Sequence, residues 1–456
     1  MRCSLGGRPS FPRLSLRRGV VLVTTAFVPS NRPGAFHHSS RASSIFGTLT
    51  SSAQDANTQL LTNRAAHAVM MTAATSASTA AAGSTTPAEK LGGYARLLRG
   101  DWSLDAASAL DRLVPKLGGD KYKGQLGRVG TFGGSKDYTG APFFASMSAL
   151  RAGADLSYVF TAKEAAPALK AYSPELMVTP VYSSDELTDR SERKDELVQA
   201  VTSLFPKLHS LLLGPGLGRN PVVLAAAAEM VRGARARGLP VVLDADSLAM
   251  VADSPETVRG FPLAVLTPNA NEFRILCERM ERDTAAAACS GAGAGAGGAA
   301  GGAGGDDEEP GGRVAAATAT EDEKKAVAVE RLARYLGGVT VVSKGRVDIV
   351  SDGVRTVACA VPGGLKRCGG IGDVLAGAMG TSLAWVYIQK LEGGGEEAAQ
   401  EAREQRLWAA WWACALTRHA SRRAYEAKGR AMSATDVFEH LGGVLEEVAP
   451  SPAVED

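Results

Sequence analysis

The run Gly369-Gly370-Ile371-Gly372-Asp373 concentrates more reactive potential than any other stretch of the chain. Three glycines free the backbone to aim its N–H groups at one point, and a helix opening there adds its dipole. The run therefore predicts an anion-binding nest able to stabilise a phosphoryl group in transfer. Asp373 stands where a carboxylate could accept the proton of an attacking hydroxyl. Lys366 and Arg367, just upstream, could neutralise phosphate charge. A helix cap is the plainer role for Asp373, but preceding turns of ligand-like composition favour catalysis.

Five such turns precede it. Lys344-Gly345-Arg346-Val347-Asp348 puts a lysine and an aspartate in a glycine turn, which suits a nucleotide's phosphates and polar groups; a β-hairpin turn between Ser343 and Val347 fits as well. In Leu266-Thr267-Pro268-Asn269-Ala270-Asn271-Glu272 a strand end runs into a helix, so its amides can read a ligand or its side chains can cap. Asp244-Ala245-Asp246 offers two carboxylates for a magnesium ion held through waters, unless Asp246 only caps the next helix. Gly214-Pro215-Gly216-Leu217-Gly218-Arg219 lacks dinucleotide-fingerprint spacing, because Arg219 stands where the third glycine belongs; it reads equally as a tight turn. The first turn is Gly130-Thr131-Phe132-Gly133-Gly134-Ser135, followed by Tyr138-Thr139-Gly140-Ala141-Pro142 opening a helix.

Positioning these turns requires strands. Apolar runs at Leu156–Phe160, Leu211–Leu213, Val241–Leu243, Ala264–Leu266 and Val339–Val342 are short, aliphatic and bounded by turn residues, as strands buried on both faces of a parallel sheet would be. Helical patterns at Ala145–Arg151, Val222–Arg237, Glu272–Arg282 and Lys324–Leu336 alternate with them. The alternation predicts a doubly wound α/β sheet with ligands at the carboxyl ends of its strands. Three further helices, Asp373–Gln389, Glu404–Ala427 and Thr435–Val448, are expected to close the domain.

Bulk properties remove several function classes. Lys and Arg number 50 against 48 Asp and Glu, so no electrostatic footprint for nucleic acid or an acidic membrane exists, and the expected partner is a small molecule. The cysteines at 3, 277, 289, 359, 368 and 414 contain no C-x-x-C pair, and the histidines are scattered, which argues against a zinc site and a disulfide framework. Residues 1–90 are Arg-rich, Ser-rich and acid-poor until Asp55, the composition of a targeting leader. A basic pair before the apolar run Val20–Val28, and Thr25-Ala26-Phe27-Val28-Pro29, which resembles the cleavage motif of bipartite plastid leaders, place plastid import ahead of mitochondrial import. A start codon assigned too far upstream is the remaining reading. Residues 289–325, Gly/Ala-rich and then acidic, read as a disordered insertion within a domain spanning 91–450.

Taken together, Gly133-Gly134-Ser135, Tyr138-Thr139-Gly140-Ala141-Pro142, Gly214-Pro215-Gly216-Leu217-Gly218, Asp244-Ala245-Asp246, Thr267-Pro268-Asn269, Lys344-Gly345 and Arg367-Cys368-Gly369-Gly370 resemble, in order, the motifs of ATP-dependent NAD(P)H-hydrate dehydratases, and Gly370–Asp373 resembles the anion hole and catalytic aspartate of ribokinase-like kinases. The likeness covers most of residues 95–445, the Gly/Ala segment being the main departure. It implies a ribokinase-like three-layer sandwich with a largely parallel central sheet. It also implies a repair reaction: the C6 hydroxyl of the S-form of hydrated NADH or NADPH is phosphorylated by ATP, phosphate leaves, and the ring double bond re-forms. Ala141, Gly216, Asn269, Ala270, Asn271, Glu272, Phe273, Arg274, Ile275 and Asp373 would touch the hydrated nucleotide. Lys344, Gly345, Arg346, Val347 and Asp348, with Gly364, Leu365, Lys366, Arg367, Cys368, Gly369, Gly370, Ile371 and Gly372, would hold ATP. Mg²⁺ is implied by the phosphoryl chemistry, with no protein cage legible. Epimerisation of the other form would fall to a separate protein, and a homo-oligomer is left open. A kinase releasing a stable phosphorylated product, a non-catalytic nucleotide sensor and, last, a dehydrogenase are the competing readings.

Overall fold

Short β-branched and aliphatic runs have no helical repeat to satisfy, and packed side by side they bury on both faces. The computed structural model, which describes residues 113–187, 191–292, 320–393 and 395–451, gathers nine of them. In chain order they are β1 (Arg128–Phe132), β2 (Leu156–Ala162), β3 (Met177–Tyr182), β4 (Ser210–Leu213), β5 (Val241–Leu243), β6 (Ala264–Leu266), β7 (Thr340–Ser343), β8 (Asp348–Ser351) and β9 (Thr356–Cys359). They form one sheet in the order β3-β2-β1-β4-β5-β6-β7-β8-β9. The pairs from β3 through β7 are parallel, and β8 and β9 add an antiparallel edge. Strand order reverses between β1 and β4, the switch point at which an open α/β sheet presents a crevice.

The helices are α1 (Gly140–Arg151), α2 (Ala166–Tyr172), α3 (Ser191–Thr202), α4 (Pro221–Arg237), α5 (Asp246–Asp253), α6 (Ala270–Ala292), α7 (Glu321–Tyr335), α8 (Ile371–Gly393), α9 (Gly395–Lys428), α10 (Ala434–Glu439) and α11 (Leu441–Val448). Helices α3 to α7 pack as successive neighbours, while α1, α8 and α9 form the other layer. This is the expected three-layer α/β sandwich. Local sequence sets several boundaries. Asn220 caps α4 by accepting from Val222 N at 2.9 Å, and Gly238 ends it in the left-handed conformation. Thr320 and Glu323 form a reciprocal capping box at the start of α7.

α8 is long and apolar enough to cross a membrane, but it is a core helix packed against α1, α9 and the sheet. Gly377 lets it lie directly on the backbone of α1, where a Cβ would drive into the Ala145 carbonyl oxygen. Thr381 Oγ1 donates to Ala149 O at 2.8 Å and Ser210 Oγ to Gly380 O at 2.7 Å, tying the same helix to α1 and β4.

Several expectations need correction. Gly130-Thr131-Phe132 is strand, not turn; Gly130 is there because a Cβ would sit 2.6 Å from a Leu208 methyl. β3 escaped notice because Pro180 interrupts it, which an edge strand tolerates. Thr435–Val448 is two helices broken at His440. The segment read as disordered from 289 to 325 is helical at both ends: α6 runs through Ala292 and α7 starts at Glu321. Its remainder, 293–319, and the leader 1–90 lie outside the described residues.

Candidate active site

Three strand ends deliver the central cluster. Asp244 follows β5, Thr267 follows β6 and Lys344 follows β7. Asp244 Oδ1 accepts from Thr267 Oγ1 and from Lys344 Nζ, both at 2.7 Å, and the carboxylate is almost fully buried. Burial opposes the lysine's charge, but Asp244 outweighs it and holds the ammonium above its ordinary pKa. Lys344 Nζ also faces the glycine run: a Cβ on Gly372 would lie 3.4 Å from it. Gly370 turns the chain into α8 at φ +92°, a conformation costly for a side-chain-bearing residue. A Cβ there would also strike Phe144 of α1 and Ala434 of α10.

Asp373 lies in the first turn of α8, within the field of this cluster. Burial first, and then the negative charge of Asp244, push its carboxyl up to about 8, while Lys344 pulls the other way. A carboxylate with that pKa is a base matched to neutral chemistry, the kind of perturbation that clusters at functional sites. The Phe144 ring of α1 packs beside the glycine nest, and the N-terminus of α6 opens onto the same cavity as the start of α8, so backbone N–H groups from α6 and α8 border it.

Asp246 does not cap its own helix. Its Oδ2 accepts from Gly218 N at 2.8 Å, fastening the turn after β4 to the end of β5. Ala245 between the two aspartates has φ 49°, the one positive φ at a non-glycine among the described residues. Such strain collects at functional sites, where the surrounding structure holds it. The turns after β1 and β4 are joined too: Gly134 N donates to Pro215 O at 2.9 Å. A Cβ on Gly216 would lie 3.3 Å from that of Ala141, so the two residues expected on the substrate side are neighbours.

Two spaces flank the cluster. A groove of about 770 Å³ runs between α4 and α6, with Asp246, Asn269, Asn271, Glu272 and Ile275 on the inner wall. A cavity of about 490 Å³ is lined by Asn269, Ala270, Lys344, Gly345, Asp348, Arg367, Ile371, Gly372, Thr417 and Arg418. Asn269 is shared by both. Its Oδ1 accepts from Asn271 N and Glu272 N at 3.0 Å, and Glu272 returns a bond to Asn269 N at 2.8 Å. The cap reading of this turn is therefore realised, and Asn269 also stands on the wall between two ligand-sized spaces.

Not every expected residue reaches these spaces. Phe273 packs partly into the core, and exposed Arg274 bonds Asn271 and Glu278. Arg346 points outward to Asp322 of α7, Val347 is a core side chain and Leu365 is 80% exposed. Lys366 donates to Arg430 O at 2.6 Å and does not line the cavity, whereas Arg367 does, bonded to Gly364 O at 2.5 Å. Gly364 lies against Ser421 of α9, and Cys368 packs partly into the core. Gly369 faces open space. Asp348 is buried beneath its turn, accepting from Gly345 N at 2.8 Å and Arg418 Nε at 2.6 Å.

Sequence reasoning missed Thr417, Arg418 and Ser421 on α9, and Lys325 on α7. A signal for the first three existed: Cys414, Thr417, Arg418 and Ser421 recur at helical spacing just beyond the apolar run Trp408–Ala413. Among the described residues no group of three or more His, Cys, Asp or Glu side chains could hold a metal ion.

Comparison with known proteins agrees with this geometry. Residues 129–298 and 311–442 match the NAD(P)H-hydrate dehydratase family profile. Bos taurus ATP-dependent (S)-NAD(P)H-hydrate dehydratase is 40% identical over 330 residues, 72% of this chain and 85% of that protein. The Emericella nidulans protein of the same name is 38% identical over 353 residues, covering 72% and 89%, and the Homo sapiens one 37% identical over 339 residues, covering 74% and 82%. A hypothetical protein from Streptococcus mutans has the same fold, with a TM-score of 0.51 at 18% identity over 76% of this chain and 99% of that one. The strand-end cluster, the glycine nest and the aspartate behind it form the candidate site, and the chain that carries them belongs to the NAD(P)H-hydrate dehydratase family.

Proposed function

We propose that the chain is an ATP-dependent (S)-NAD(P)H-hydrate dehydratase, returning hydrated NADH and NADPH to working cofactor. The observation that carries the chemistry is Asp373, a half-buried carboxylate with a raised pKa at the start of a helix, behind a glycine nest and within the field of Lys344. Asp373 takes the proton of the C6 hydroxyl as its oxygen attacks the γ-phosphorus of ATP, and ADP departs. The C6–O bond then breaks with its electron pair leaving on phosphate. The neighbouring ring carbon loses a proton and the double bond returns. Lys344 and the nest stabilise the charge that builds on the transferring group.

The cavity beneath Lys344, Gly345, Arg367 and Gly372 takes ATP, since Lys344 and Arg367 give it a positive wall. The hydrated nucleotide enters from the side of Ala141, Gly216 and Asn269–Ile275. Magnesium would be carried by the phosphates and waters of the nucleotide, since no carboxylate cage for it exists among the described residues, and it would supply charge neutralisation there. Residues 1–90 direct import into an organelle, a plastid by the apolar run Val20–Val28 and the Thr25–Pro29 motif, and the other epimer is supplied through a separate epimerase.

The test is recovery of reduced-nicotinamide absorbance from hydrated NADH with and without ATP. Asp373→Asn keeps shape and a capping oxygen, so it should bind ATP yet lose activity by ~10²–10⁴-fold. Activity of a folded Asp373→Asn protein within about threefold of the wild type would remove the mechanism.

A further inference from the structure

The turn that joins β7 to β8 along the nucleotide cavity is held in an unusual way. Its carbonyl oxygens converge on two cations. Lys325 Nζ, reaching from α7, donates to Ser343 O at 3.1 Å, Lys344 O at 3.2 Å and Val347 O at 3.5 Å. Arg418, reaching from α9, donates to Gly345 O at 2.8 Å and Arg346 O at 3.0 Å. Every peptide oxygen from Ser343 to Val347 is thereby taken by one of two cations. Arg418 adds bonds to Asp348 Oδ2 at 2.6 Å and Val361 O at 3.1 Å, and Asp348 in turn receives Gly345 N.

The two helices belong to opposite layers, so the turn is gripped from both faces of the sheet. Gly345 fits this grip: a Cβ there would lie 2.6 Å from Lys325 Nζ. Burial lowers the pKa of Lys325, so its charge is kept at a cost that an ordinary surface lysine does not bear.

We infer that Lys325 and Arg418 are positioning residues for the nucleotide: by drawing five successive carbonyl dipoles toward themselves, they keep acceptor oxygens away from the phosphates and fix the stem from which Lys344 reaches the nest. This rests on the assignment of the cavity to ATP. It predicts an effect on ATP that is separable from the hydrated nucleotide, whose expected contacts lie on α1, α6 and the turn after β4.

Lys325→Met is the deciding variant, because Arg418→Gln would strand Asp348 and could unfold the chain; Arg418→Lys serves as the second, keeping the charge without the fork. In the full chain, each should raise KM for ATP by about tenfold or more while KM for hydrated NADH stays within about threefold. Lys325→Arg should recover most of the loss. Amide exchange at Gly345–Asp348, measured without ligand, should quicken by about tenfold in Lys325→Met while β4 and β5 are unchanged. An unchanged KM for ATP, or a parallel rise in both KM values, overturns the inference. If the wild-type chain proves unable to use ATP, the functional reading fails instead, and unchanged exchange at the turn would then dispose of the grip by itself.

Discussion

Asp373 must be ionised to take a proton, and its raised pKa places that ionisation at about 8 in the free protein. The acid limb of kcat/KM, which reports the free enzyme, should therefore rise with pH until about 8. Asp244 contributes to this by its charge and by engaging Lys344. Asp244→Asn removes a group that raises the pKa and releases one that lowers it, so both effects move the limb to lower pH. A shift of about one unit or more is expected; a limb that stays in place would show that Asp373 does not feel its neighbour. At this scale much was legible. Asp244 and Lys344 stand at strand ends and Asp373 follows a glycine run into a helix, places where side-chain type and local geometry together restrict what a residue can do. Lys325 and Arg418 were not legible, because cations on long helices read as solvated surface, and only the packing of two helices onto one turn reveals their partners. Arg346 and Lys366 show the converse: a basic residue inside a motif need not aim at the ligand the motif holds.

The five strands whose aliphatic runs were plain in the sequence, β2 and β4 to β7, form the centre of the sheet, where burial on both faces demands such runs. The four that were missed carry a glycine, a proline or polar residues at their ends, in β1, at the β3 edge and in the β8–β9 edge. Their identity as strands comes from neighbours rather than from their own composition. Gly377 gives the clearest conflict between local and tertiary demands. Alanine is the better helix former by about 1 kcal/mol, so Gly377→Ala would stabilise an isolated α8. In the folded chain the new methyl meets the Ala145 carbonyl, and α8 must move off α1. Overpacking of this kind costs about 1–3 kcal/mol. Thermal melting should show a lower Tm and reduced activity, since the shift displaces Asp373 one turn away. An increased Tm would mean that the two helices part without penalty.

The matched family region covers 129–298 and 311–442, while the targeting assignment and the middle of the insertion, 293–319, concern residues outside the described part of the chain. If those segments serve import and spacing, a chain starting at Gly92, with 293–319 replaced by a short Gly-Ser linker, should keep turnover within about twofold and nearly the same Tm. The replacement must stop short of Thr320, since the capping box it forms with Glu323 starts the helix that carries Lys325. A loss of several kcal/mol would show instead that the removed residues pack against the sandwich.

The pairing of Asp244 with Lys344 also bears on how the chain reaches its working form. The two residues are 100 positions apart, and Asp348 and Arg418 are 70 apart, so the site is made almost wholly of distant contacts. Such contacts form late, after loop closure has been met and the local helices already exist. Strands β1 to β6 can pair before β7 arrives, but they then present Asp244 without its lysine and no nucleotide turn at all. Only when β7 docks beside β6, and α8 and α9 close over the sheet, do base, nest and cavity come into being together. A chain still emerging from the ribosome, with β7 yet to appear, therefore lacks the lysine and the turn on which the candidate site depends.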